Sequence, residues 1–388
     1  MGECYEYRLL PHGSFGFLKD FWRRHKRKIL VSAGVVGTGY CLYKVYNTYK
    51  KQLADLERHL AAELEKDELV KAQMQAHFEN IQRIADTATL PHSISYLNSR
   101  IAEELDHSFI TEALQKGKGQ TTALTTAEKL ELWDKLKIIS FTRMVTSLWA
   151  VTLLCLYIRV QVNILGRHLY IDIARGLENS FMSEDSDLID RDDQQNFLAA
   201  SDYLPHSGLL VLANDIQTAV TEVLKGKQLK DSFDTTALRE TVMQITDKFI
   251  STGSPCRWVD YLMPEDSRLH KQAMMVSSGG DMFPTDLTKF DHLMMETREV
   301  ILSPEFGKVV EVSLKELIDA LVEDLETQTT EGTLTSGLPL VKLLPRVAQV
   351  GSSLLKEPSE NRYIQIIQKS PEVELFFTLL YANTPPQP

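Results

Sequence analysis

Between Met144 and Ile158 the chain places fifteen consecutive residues without a charge, "MVTSLWAVTLLCLYI", before it reaches Arg159. A run this apolar must be wrapped by protein or by lipid, and whatever wraps it sets the architecture. Arg159, Gln161 and Asn163 follow at once. Such groups are costly in hydrocarbon, so a buried bundle helix is favoured over a membrane span. The stretch "IRVQVNI" (158–164) alternates as a strand would, while Leu154, Ile158, Val162 and Leu165 also fit one helix face. Periodicity alone leaves both open.

Elsewhere apolar residues recur at helical spacing. Leu53, Leu56, Leu60 and Leu64 begin a pattern that continues through Met74, Phe78, Ile81 and Ala85, with Pro91 as its expected stop. Residues 94–116 form a second helical segment, followed by the loop "GKGQTTAL" (117–124). Thr125 and Glu128 have the spacing of a capping box, which starts the helix carrying Trp133. Further helices are expected over 207–227 and 314–328, with an acidic loop over 183–193 and a proline-rich, unordered tail, "ANTPPQP". No internal repeat and no regular succession of strands is present. The patterns predict an all-α fold, an elongated bundle of long helices.

The charge is uneven. Residues 1–51 carry a net +7, whereas the remaining residues carry −18. An acidic body argues against nucleic-acid binding, and a basic amino end suits anionic lipid or an address signal. In "WRRHKRKILVSAGVVGTGYCLYKVYNTYKK" (22–51) a basic cluster, Arg23, Arg24, Lys26, Arg27 and Lys28, precedes the apolar residues 29–46. As a helix those eighteen residues span about 27 Å, slightly under the ~30 Å hydrocarbon core. Lys28 and Lys44 can snorkel to opposite interfaces. A cleavable signal peptide shares this layout, but no small-x-small cleavage site follows the run. A buried core helix is the remaining alternative. The domain reading is therefore a basic targeting segment over 1–28, a transmembrane anchor over 29–46 and a cytosolic helical-bundle domain over 47–388.

Signatures of catalysis are missing. There is no HExxH, P-loop, GxSxG or CxxC pattern, and Cys4, Cys41, Cys155 and Cys256 share no metal-type spacing. No catalytic residue, metal or cofactor is expected. One stripe is unusual: in "AEKLELWDKLKIISFTR" (127–143), Lys129 and Lys137 flank Trp133 at i−4 and i+4. A lone helical tryptophan commonly faces a core. Burying either ammonium unpaired would cost several kcal/mol, which argues for an indole partly open to water. Such a ring with cationic neighbours suits recognition of a helix in a groove.

The near-continuous runs Lys129–Arg143 and Tyr157–Asp172 resemble the peroxisomal biogenesis factor 3 family. Weaker echoes are "RRHKRK", "HFEN" (77–80), "YLMPED" (261–266), "SPEF" (303–306) and "LPLVKLLP" (338–345), so all but about the first fifteen residues are covered. The resemblance implies a short anchor in the peroxisomal membrane and a cytosolic all-helical domain. That domain would bind an amphipathic helix of the import receptor, peroxisomal biogenesis factor 19, which delivers membrane-protein cargo. The family's amino end faces the peroxisome interior, whereas the charge pattern leans the other way. By motif, Trp133 would be the groove's apolar anchor, with Leu136 one turn along and Lys129 and Lys137 as its cationic rim. Leu114 and Lys116 would join from the preceding helix, and Asn163 would support the far wall. Where relatives tend to have paired glycines, this chain has Gly166-Arg167. A lipid-binding or organelle-tethering helical membrane protein is the alternative function.

Overall fold

The computed structural model describes residues 44, 47–62, 64–65, 68, 72, 75–76, 79–80, 82–116, 125–178, 191–252, 257–264, 289–327, 334 and 336–382, without the side chains of Lys116, 172–178 and Arg191. Two compact units result, Met1–Gln75 and Ala76–Pro388. The expected anchor and basic cluster lie outside the described residues, save Lys44. In the first unit the helix α1 (47–62) is solvent-exposed along almost its whole length.

The second unit is all-α. Its helices are α2 (Leu90–Glu104), α3 (Ser108–Lys116), α4 (Thr126–Glu178), α5 (Arg191–Ala199), α6 (Leu209–Leu224), α7 (Thr235–Thr252) and α8 (Trp258–Leu262). They continue as α9 (Lys289–Leu302), α10 (Pro304–Thr327), α11 (Leu340–Leu354), α12 (Arg362–Lys369) and α13 (Pro371–Ala382). One two-residue antiparallel ribbon, β1 (Ser232–Phe233) with β2 (Leu338–Pro339), clips the segment after α6 to the start of α11.

Helix α4 is the axle. Its 53 residues extend for about 80 Å at ~1.5 Å per residue. By length and composition it could cross a membrane, yet its most apolar window is entirely buried in protein. Met144–Ile158 are sealed by α2, α6, α10, α11 and other helices packed on α4. The apolar run is thus a core helix. The stretch 158–164, which alternates as a strand would, is helical too, because neighbours cover it all round.

Two prolines correct the expected boundaries. Pro91 does not stop a helix; it occupies the second position of α2, entered through a π-turn over Ala85–Thr89. A widened turn accommodates a residue that lacks an N–H and crowds the preceding carbonyls. Pro205 is carried by a second π-turn, Leu204–Gly208. The segment 94–116 is two helices, not one, because the Asp106 carboxylate accepts from the Ser108 N–H (2.9 Å) and hydroxyl (2.6 Å) and restarts the chain as α3.

Candidate functional site

The capping box at the head of α4 forms as its spacing requires. Glu128 accepts from the Thr125 N–H (2.7 Å) and hydroxyl (2.8 Å), and Thr125 Oγ1 accepts from the Glu128 N–H (3.3 Å). These bonds hold the Glu128 carboxyl below its usual range. The cap fixes where α4 begins, and therefore which residues share each of its faces.

Down the tryptophan face, exposure declines. Lys129 and Trp133 are half-buried, whereas Leu136 is buried. Lys137 departs from the expected rim, being only 6% exposed. Its ammonium donates to the Lys227 carbonyl at 2.9 Å and lies 3.1 Å from an Asp134 carboxylate oxygen. The desolvation that should have kept it in water is offset by these two partners, one of them on the segment between α6 and β1. Lys227 in turn sets its own ammonium 5.3 Å from the centre of the Phe233 ring. On α3, which packs against α4, Leu114 is buried. Lys116 ends that helix, and its side chain lies outside the described atoms.

Asn163 stands apart. Thirty residues along the same helix put it about 45 Å from Trp133, so it supports no wall of a groove centred there. It is buried, donates to the Arg159 carbonyl at 2.6 Å and adjoins Gln82, which accepts from Arg159 Nε at 2.9 Å. Arg159 also stacks over the Phe377 ring, 4.4 Å from its centre. Arg167, the departure from paired glycines, is buried as well. It pairs with Glu296 of α9 and donates to the Leu380 carbonyl of α13 at 3.0 Å, so the bulky cation joins three helices.

A hollow of about 640 Å³ opens beside the head of α4, on a face that the motif did not mark. Its apolar lining is Ile110 of α3 with Ala127, Leu130, Ile138 and Ile139 of α4. Glu131, Asp134, Lys135 and Gln217 supply the polar part. At ~100° per residue this face lies roughly 140° around the helix from Trp133. Leu130 is exposed at its edge, and Phe109, next to Ile110, is 77% exposed. The spacing of Ala127, Leu130 and Ile138 carries this face in the sequence, without a tryptophan or paired lysines to mark it. At the junction of α2 and α3, Arg143 of α4 donates to His107 Nδ1 at 3.2 Å. Burial and the guanidinium both hold the His107 imidazole below its ordinary pKa.

Among the described residues no group of three or more His, Cys, Asp or Glu is placed to hold a metal ion. Cys155 is fully buried, which pushes its thiol far above the range of a reactive nucleophile.

The Peroxin-3 family model matches residues 20–128 and 118–383. Among curated relatives, Peroxisome biogenesis protein 3-2 of Arabidopsis thaliana is 55% identical over 370 residues, covering 95% of this chain and 99% of its own. Peroxisomal biogenesis factor 3 of Rattus norvegicus is 31% identical, covering 95% and 98%. The Yarrowia lipolytica protein of the same name is 22% identical, covering 94% and 99%. With family-model matches spanning residues 20–383 and relatives matched almost end to end, the chain belongs to the Peroxin-3 family of peroxisome biogenesis factors.

Proposed function

We propose that this peroxisome biogenesis factor is a membrane-anchored docking receptor whose helical domain faces the cytosol. Its ligand is the amphipathic helix of peroxisomal biogenesis factor 19, which arrives with membrane-protein cargo. The observation that carries the reading is Trp133: a large half-buried side chain at the capped head of a helix whose middle is sealed. A buried ring would be core, and a fully exposed one would have no wall to press a ligand against. An indole at the edge of a packed scaffold supplies a desolvated anchor where truncation commonly costs roughly 2–4 kcal/mol. Lys129 stands beside it as the cation available to acidic groups on the incoming helix. Such a contact contributes register and on-rate more than affinity.

Calorimetric titration of the chain with the factor 19 helix tests this. Trp133→Ala should weaken binding about tenfold or more, since ~1.4 kcal/mol is a factor of ten. Its helical circular dichroism and melting temperature should stay near wild type. Unchanged affinity would remove the reading, and unfolding of the variant would reassign Trp133 to the core. The lipid-handling alternative loses its main support, because the run 144–158 has no face left for lipid.

A further inference from the structure

We propose that the face of α1 carrying Tyr49, Leu53, Leu56 and Leu60 pairs antiparallel with the same face of a second copy of this chain. These side chains are between 46% and 63% exposed, an apolar stripe left open to water on one face of an otherwise charged and polar helix. Their spacing, four, three and four residues, is that of the two inward positions of a coiled-coil heptad. An unbroken seam of this kind calls for another helix with the same periodicity, and a second copy supplies one.

Charge selects both the partner and the direction. The position flanking Tyr49 is Lys50, and the equivalent position one heptad later is Glu57. Antiparallel pairing sets Tyr49 against Leu60 of the second copy and Leu53 against its Leu56. Lys50 then lies beside Glu57 of the second copy, and two-fold symmetry makes the same contact again. Both side chains are exposed, and among the described residues neither is held in an ion pair within its own chain. Parallel pairing would instead set Gln52 beside Glu57 and forfeit both charge pairs. The next inward position is Glu63, so the seam closes after four layers. Association through it is therefore weak and concentration-dependent.

Sedimentation of the full-length chain in detergent micelles tests the pairing. Between about 1 and 100 µM the wild type should pass from monomer toward dimer. Lys50→Glu places two carboxylates together twice and should weaken the dimer about tenfold. Lys50→Glu with Glu57→Lys restores both contacts in reversed sense and should return to within about twofold of wild type. Leu56→Asp should leave monomer only. A wild type that stays monomeric throughout would overturn the proposal, as would a charge swap that fails to restore association. If Leu56→Asp lowers the melting temperature of a monomeric wild type, the chain itself covers the stripe. If it instead abolishes binding to phosphatidylcholine vesicles by such a monomer, lipid covers it. Either result also overturns the pairing.

Discussion

Lysine 137 illustrates how one position can serve a ligand or the fold. Its ammonium is committed to the Lys227 carbonyl and to Asp134, beneath the segment that follows α6. Lys137→Met should therefore destabilise the domain by about 1–3 kcal/mol in denaturant unfolding, by leaving the part-buried Lys227 carbonyl without its donor. Its effect on partner affinity should be small beside that of Trp133→Ala. A large loss of binding at unchanged stability would return Lys137 to the rim. His107 carries the pH dependence of the same region. Its neutral imidazole accepts from Arg143, and its folded pKa is depressed by burial and by that cation, with Asp106 opposing. A depressed value means that the contribution is complete above the unfolded pKa of about 6.5 and is lost as pH falls through the folded one. The denaturation midpoint should drop between pH 7 and about 5, and less so in His107→Gln. An identical slope in both proteins would dismiss the contact.

At the scale of elements, close approach between helices is as informative as burial. Gly208 precedes α6 where a Cβ would sit 2.0 Å from the Tyr261 carbonyl oxygen of α8. That atom is backbone and cannot swing aside. Gly208→Ala should cost about 1–3 kcal/mol or more by thermal denaturation, and a neutral outcome would mean that α6 and α8 are free to separate. Helical periodicity made α1, α4, α6 and α10 legible in the sequence, because each has an apolar face that one repeat describes. The breaks were harder. Asp106 restarts the chain through its own side chain, and the prolines at 91 and 205 are absorbed by π-turns. These are local hydrogen-bond solutions to which an apolar repeat is blind. The β1–β2 clip was equally hidden, since two residues carry no period.

Across the whole molecule, the tryptophan stripe was readable and its surroundings were not. Burial of Lys137 depends on a carbonyl ninety residues away. The hollow lined by Ile110, Leu130 and Gln217 depends on three helices meeting. Neither can be derived from spacing along one helix. The proposed anchor over 29–46, behind its basic cluster, requires that residues 1–51 fused to a fluorescent protein collect on peroxisomes; diffuse fluorescence would contradict it. Its central claim concerns the Trp133 ring. The most direct measurement is the emission of that ring alone, taken as the difference between the wild-type and Trp133→Phe spectra while the factor 19 helix is added. The account predicts that this emission moves to shorter wavelength and saturates with binding, as the arriving helix takes water away from the indole. A helix that binds while the Trp133 emission stays where it was would contradict it.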